Sequence, residues 1–118
     1  MPSFDERTSN IILQPGDSKV PYSFTFTINS SATANDGAIP FGQTVTSIVV
    51  TVHLDDADNT DKTSEVVNSS SLADNIATVL LDYPSTTGAG CYHLNILATL
   101  SGSAVMEFDF NRISARDI

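Results

Sequence analysis

Apolar and polar positions alternate with a period of two along much of this chain. In "VPYSFTFTI" (20–28), Tyr22, Phe24, Phe26 and Ile28 alternate with Pro21, Ser23, Thr25 and Thr27, the pattern of a strand with one buried face. "QTVTSIVVTVHL" sets Ile48, Val50, Val52 and Leu54 on one face and Thr51 and His53 on the other, and "NIATVLLDY" groups Ala77, Val79 and Leu81. In "CYHLNILATLS" the inward set is Tyr92, Leu94, Ile96, Ala98 and Leu100, against Cys91, His93, Asn95 and Thr99; "AVMEFDFNRI" sets Met106, Phe108 and Phe110 against Glu107, Asp109 and Asn111. The spacer between these last two, "SGS", is short enough for a hairpin. Weaker strands are predicted at "NIILQ" and "SEVV". One window, "SLADNIATVLL", has Leu72, Ile76, Val79 and Leu80 at helical spacings. The β-branched Thr78 and Val79, and the turn-forming Asp74-Asn75 just before them, favour a strand there too.

About seven short strands separated by polar turns predict an all-β fold, an immunoglobulin-like antiparallel β-sandwich. The Thr- and Ser-rich outward positions fit antiparallel sheets with one solvated face. The 118 residues allow one domain, 1–118, with a short N-terminal arm at 1–8. In "TTGAGCYHL" Tyr92 opens a strand after a Gly-rich corner, as the tyrosine corner of such sandwiches does; an ordinary buried aromatic is the alternative. Leu94 stands where antibody domains place a cysteine, and there is no Trp, so the sandwich is of a type without the antibody disulfide.

Charge changes the picture of partners. Five basic residues against fourteen acids leave a formal net charge of −9, too little cation to displace counterions from nucleic acid or to hold an anionic membrane. The single cysteine, Cys91, has no intramolecular partner and is expected as a small buried hydrophobe. "MPSFDERTSN" carries acids where a signal peptide needs basic residues and an apolar core, which predicts synthesis and folding in a cytoplasm.

Candidate chemistry is sparse. "HLDDADNTDKTSE" (53–65) holds five acids. On the EF-hand template Asp56, Asp58 and Thr60 fill positions 1, 3 and 5, but Asp61 stands where Gly is needed and Val67 where Glu is needed. Asp56, Asp58 and Asp61 are therefore weak metal candidates in a loop read chiefly as a polar connection kept open by like charge, with Lys62 as local relief. His53 and His93, the only imidazoles, fall on polar strand faces with no nucleophile in a motif beside them. Ser101 and Ser103 flank a glycine in a hairpin turn and lack the strand-elbow-helix context of a nucleophile. No catalytic residue and no cofactor is predicted. A carbohydrate-binding or adhesin module is a further reading, but with Tyr22 and Tyr92 assigned to the core only Tyr83 is left as a sugar platform.

The order "VPYSFTFTI", "GQTVTSIVVTVHL", an acidic and Ser-rich middle, "GAGCYHLNILATLSGS" and "MEFDFNRI" resembles the small immunoglobulin-like structural proteins of tailed bacteriophages described as fiber-tail adaptors. The likeness spans most of residues 14 to 113 and includes "G-x-T-[IV]-x-S" at Gly42 to Ser47 and a Gly-rich turn before Tyr92 and Leu94. It departs from the family pattern at the hairpin "LATLSGSA" and in a longer loop at 29–42. The resemblance implies a virion protein that binds tail, neck, fiber or capsid proteins and catalyses nothing. It also implies many copies in a symmetric ring or lattice; a capsid decoration protein is the alternative. Loops at 29–43 and 69–75 are the contact candidates, with Pro40, Phe41 and Leu72 as the residues concerned. Phe41 either meets a partner or caps the core.

Overall fold

The computed structural model describes residues 11–116, without the side chains of residues 110–112. The expected arm at 1–8 and the inward placement of Phe110 lie outside the described residues. The described residues form seven strands: β1 (Ile11–Leu13), β2 (Val20–Thr25), β3 (Val45–Leu54), β4 (Val67–Ala73), β5 (Ile76–Leu81), β6 (Gly90–Leu100) and β7 (Val105–Ala115), with one helical turn, α1 (Thr63–Val66), before β4; all but β4 fall on expected strands. They form two sheets, one ordered β1-β7-β6-β3 and the other β2-β5-β4.

The pairings among these seven strands are antiparallel except β1 with β7, which is parallel. The expectation of a wholly antiparallel sandwich is corrected at that edge: β1 and β7 stand far apart in the chain, so no tight hairpin dictates their direction. The apolar faces of the two sheets share one core, from Phe24, Ala77, Val79 and Leu81 on one side to Val50, Val52, Tyr92, Leu94, Ile96 and Phe108 on the other. Phe26 and Phe108 meet at a ring-centroid distance of 5.2 Å, tilted by 58°, an edge-biased geometry that suits aromatic quadrupoles. No charged side chain is buried among the described residues.

Local geometry follows the residue types. Asp74 and Asn75 both have positive φ, 51° and 61°, as a two-residue type I′ hairpin requires, and these residue types tolerate that region best after glycine. The Leu72 to Leu80 window is thus a β4–β5 hairpin. A bulge in the β6–β7 pairing at His93/Leu94 shifts the inward phase of β7 from Met106 and Phe108 to Ile113 and Ala115.

Three expectations are corrected. "SEVV" is not a strand: Thr63–Val66 makes one helical turn, in which Val66 N–H and Glu65 N–H both reach the Lys62 carbonyl. Leu72 is not in a loop; it lies in β4, half-buried against the core. Cys91 is exposed, because it alternates with the fully buried Tyr92 and so must point outward from β6.

Candidate functional site

Hydrogen bonds between distant segments build one end of the sandwich. The segment 29–43, leaving β2, is folded by its own polar side chains. Asp36 accepts from Ser30 N–H at 2.9 Å and Ser30 Oγ at 2.7 Å, and Asn29 Oδ1 accepts from Gly37 N–H at 2.7 Å. The Thr27 carbonyl takes both Ala38 N–H and Ile39 N–H, which presses the loop so close to the chain that a Cβ on Gly37 would collide with Thr27 and Ile28 backbone. Ile39, fully buried, anchors the loop in the core. The Ser30 bonds hold the Asp36 carboxyl below its ordinary range.

The loop is then tied to the β6–β7 hairpin. Thr44 N–H donates to Ser101 Oγ and Ser101 N–H to the Thr44 carbonyl, while Gly102 N–H reaches Gln43 Oε1 at 3.3 Å. Asn75 of the β4–β5 turn joins the same end, accepting from Val45 N–H through Oδ1 at 2.9 Å. On this braced platform Phe41 is 55 % exposed. Phe41 therefore does not cap the core; Ile39, two residues before it, fills the place beneath. Pro40, also exposed, lines with Asn29, Asn35 and Met106 a hollow of about 330 Å³ between the loop and β7.

The opposite end is organised by acids and by Tyr92. Tyr92 is fully buried and its hydroxyl donates to the Gly88 carbonyl at 2.8 Å; burial is the main cause that raises its pKa. Asp56 accepts from Thr60 N–H and Thr60 Oγ1 at 3.0 and 2.9 Å, and Asp61 accepts from Thr63 N–H at 2.9 Å. Glu65 gathers Thr86 N–H, Thr87 N–H and Thr87 Oγ1 and lies 3.4 Å from Lys62 Nζ. Hydrogen bonds from Thr60, Thr63 and Thr87 respectively lower the pKa values of Asp56, Asp61 and Glu65.

These acids do not converge. Each is turned onto nearby backbone, Asp58 stays exposed, and among the described residues no group of three or more His, Cys, Asp or Glu is placed to hold a metal ion. What the stretch does is close a sheet edge. Leu54 N–H donates to the Thr60 carbonyl at 2.7 Å, Lys62 N–H to the Val52 carbonyl at 2.8 Å, and Val52 N–H to Thr63 Oγ1 at 2.9 Å. The segment thus returns along the outer side of β3 and pairs its unpartnered backbone.

The two histidines are brought together, which their separation in sequence does not reveal: His53 and His93 are directly opposed across β3 and β6. His93 Nε2 lies 3.3 Å from Asp55 Oδ1, both nearly half exposed. Asn95 Nδ2 donates to Asp109 Oδ1 at 2.7 Å and Glu107 Oε2 at 3.0 Å. Both histidines, Asn95, Glu107 and Asp109 line an open polar hollow of about 450 Å³ on the solvent face of the larger sheet. Among the described residues Thr51 is the only hydroxyl residue lining it, and the Asn95 amide and His93 already engage Glu107, Asp109 and Asp55. Tyr83, the aromatic left over for a sugar platform, is half-buried against the core.

Sequence reasoning places Gln43 and Asn75 in loops and Ser101 in a hairpin turn, but misses the ties that these residues and Thr44 make. Their bonds span 30 to 59 residues, and nothing local in the sequence marks such partners. Compared with known proteins, the chain matches no protein-family model and no curated protein.

Proposed function

We propose that the chain is a non-enzymatic, immunoglobulin-like binding domain of a tailed-bacteriophage particle, an adaptor in the tail or neck that joins other virion proteins. The immunoglobulin-like part of this reading is supported by strand order. The sheet β2-β5-β4 matches the B-E-D order and β7-β6-β3 the G-F-C order of such sandwiches. The Tyr92 hydroxyl bonded back to Gly88 has the form of the corner bond, four residues upstream.

The observation that carries the binding role is Phe41. An aromatic exposed on a loop braced by side-chain hydrogen bonds and a buried Ile39 is already in its final shape, so little ordering entropy is lost when a partner covers it. Aromatic anchors of this kind dominate interface energetics. Pro40 beside it adds rigid apolar surface. Repetition of one modest contact around a ring multiplies its effect, since each later contact is intramolecular. The virion address rests on the resemblance of the strand series to fiber-tail adaptors; a capsid decoration protein is the second reading, with the same chemistry at a different symmetry.

Quantitative mass spectrometry of purified particles tests the address. Roughly six to twelve copies per particle follow from a tail or neck ring, whereas hundreds of copies follow from an icosahedral shell and overturn the adaptor reading. Absence from the particle overturns both.

A further inference from the structure

On the solvent face of the larger sheet, alternation gathers the chain's two histidines and its one cysteine into a single square. The inward positions at this end belong to Val52, Tyr92 and Leu94, all fully buried, so His53, Cys91 and His93 stand outward. His53 directly opposes His93. The ladder runs one pair further, because Asp55 N–H donates to the Cys91 carbonyl at 2.9 Å, and Asp55 and Cys91 are both exposed. One side of the square is therefore His53 and Asp55, the other His93 and Cys91.

Each corner carries a group that ligates divalent transition ions: two imidazoles, a thiol and a carboxylate. Opposed residues of an antiparallel pair have Cβ atoms about 4.5 to 5.5 Å apart and diagonal ones about 7 to 8 Å, distances that long side chains span. One diagonal is already at ligand spacing. Two donors each about 2.0 to 2.1 Å from a tetrahedral Zn²⁺ stand about 3.3 to 3.4 Å from one another, and His93 Nε2 lies 3.3 Å from Asp55 Oδ1. His53, facing His93, and Cys91, facing Asp55, supply the other two corners. As the side chains stand, among the described residues no three such donors converge. Convergence asks only for rotation of His53 and Cys91 about side-chain bonds on a fixed backbone; neither is buried, and exposed side chains change rotamer in picoseconds to nanoseconds.

We propose that His53, Asp55, Cys91 and His93 bind one Zn²⁺, which clips the end of β3 to the start of β6. The donor set selects the ion. Thiolate, imidazole and carboxylate together suit Zn²⁺, whereas Ca²⁺ and Mg²⁺ take oxygen ligands. Four protein donors close the coordination shell, so the role is structural and no water is held for chemistry. Charge favours it as well: one carboxylate and one thiolate neutralise the ion, on a chain of net charge −9 that attracts cations. Next to the square, Asp61 bridges to His53 and its carboxylate is held by Thr63 N–H, and Arg112 takes the register position beside His93 on β7.

Isothermal titration calorimetry of the untagged full chain with Zn²⁺, in a non-chelating reductant that keeps Cys91 a thiol, reads the site. One ion per chain is expected, and the melting temperature should rise as Zn²⁺ is added. His53→Ala, His93→Ala, Cys91→Ser and Asp55→Asn should each weaken binding by at least about tenfold. None of these side chains is buried, so without metal the variants should melt like the wild type. Asp58→Asn, in the neighbouring acidic loop, should leave binding unchanged. Co²⁺ as a spectroscopic substitute should give the strong visible bands of tetrahedral coordination and a thiolate charge-transfer band that Cys91→Ser removes. A chain that takes up no Zn²⁺, binding that survives His53→Ala, His93→Ala or Cys91→Ser at full strength, or Ca²⁺ taken up as tightly as Zn²⁺ overturns the proposal.

Discussion

The two ends of this sandwich spend their polar residues differently. At the end built from residues 55–65 and 82–90, Asp56, Asp61 and Glu65 cap their own backbone and the segment closes the edge of β3. At the end built from 29–44 and 101–104, Asp36 and Asn29 shape one loop, Gln43 and Ser101 tie it to a hairpin, and the apolar Phe41 is left in solvent. The dense cluster of acids is thus spent on backbone hydrogen bonds, while the end with few charges presents the exposed aromatic on which the proposed binding rests. Charge density is a poor guide to a site when each carboxylate already has local N–H and O–H donors, because those bonds are made whether or not a ligand exists.

The comparison breaks most visibly from below, in the core. Phe108 packs on Phe26 under the loop end, and Phe24 fills β2 beside it; both are at least 94 % buried. Phe24→Ala and Phe108→Ala should each cost about 3 to 5 kcal/mol of stability, measured by chemical denaturation. Unchanged unfolding midpoints in both would mean that the loop end does not rest on these rings. Tyr92→Phe tests the other end more gently. It removes one buried hydroxyl bond to Gly88 without altering volume, and leaves that carbonyl without its donor, for a loss of about 1 to 2 kcal/mol. A loss no larger than that of an exposed substitution would show that this bond does not hold the corner.

How much of this was legible follows from range in sequence. Segments with four or five alternating apolar residues, such as 22–28, which contains the end of β2, and β6, declare both their extended form and their inward face. The turn at Asp74-Asn75 is legible because two consecutive left-handed residues need such side chains, but the strand β4 before it is not. The helical turn at Thr63–Val66 is not: four residues are too few for a 3.6 period to emerge, and Val66-Val67 have strand propensity. Cys91 shows alternation outranking residue type, since the position next to the buried Tyr92 is outward whatever occupies it. Leu72 belongs to a strand because Ser69 to Ser71, polar enough for a loop, form the solvent-facing edge of a hairpin. The tie between Thr44 and Ser101, and the return of residues 60–63 onto β3, are tertiary hydrogen bonds with no local signature.

Acid sharpens the contrast between the ends. The folded-state pKa values of Asp56, Asp61 and Glu65 lie below their ordinary values of 3.8 for Asp and 4.5 for Glu, so the folded chain binds fewer protons than the unfolded one in that range. Stability contributed by these groups is fully present above the ordinary values and is lost as pH falls through the lowered ones. The melting temperature should therefore drop below about pH 4. Asp56 and Asp61 are exposed and Glu65 is partly so, and solvent screens all three, so the effect is small for each. The variant Asp56→Asn/Asp61→Asn/Glu65→Gln should flatten the acid limb more than Asp36→Asn, which removes the one such carboxylate described at the loop end. An equal flattening by both would erase the difference in how the two ends use their acids.

The smallest effect on stability is expected where the proposed function is greatest. Phe41 is 55 % exposed and Ile39, not Phe41, is the loop's buried anchor, so Phe41→Ser should change stability by no more than about 0.5 kcal/mol. Its cost should appear in binding, where loss of an aromatic anchor weakens an interface by about 2 kcal/mol or more, close to thirtyfold for each contact. In a ring that deficit is compounded at every position, so particles assembled with Phe41→Ser should carry far fewer copies of the chain than particles assembled with the wild type, while the isolated variants melt alike. Thr33→Ala, an exposed change in the same loop, is the control that should leave copy number unaltered. If Phe41→Ser is incorporated as fully as the wild type, the loop end is not the contact surface; if it melts lower by several kcal/mol, Phe41 supports the fold and the division of labour between the two ends fails.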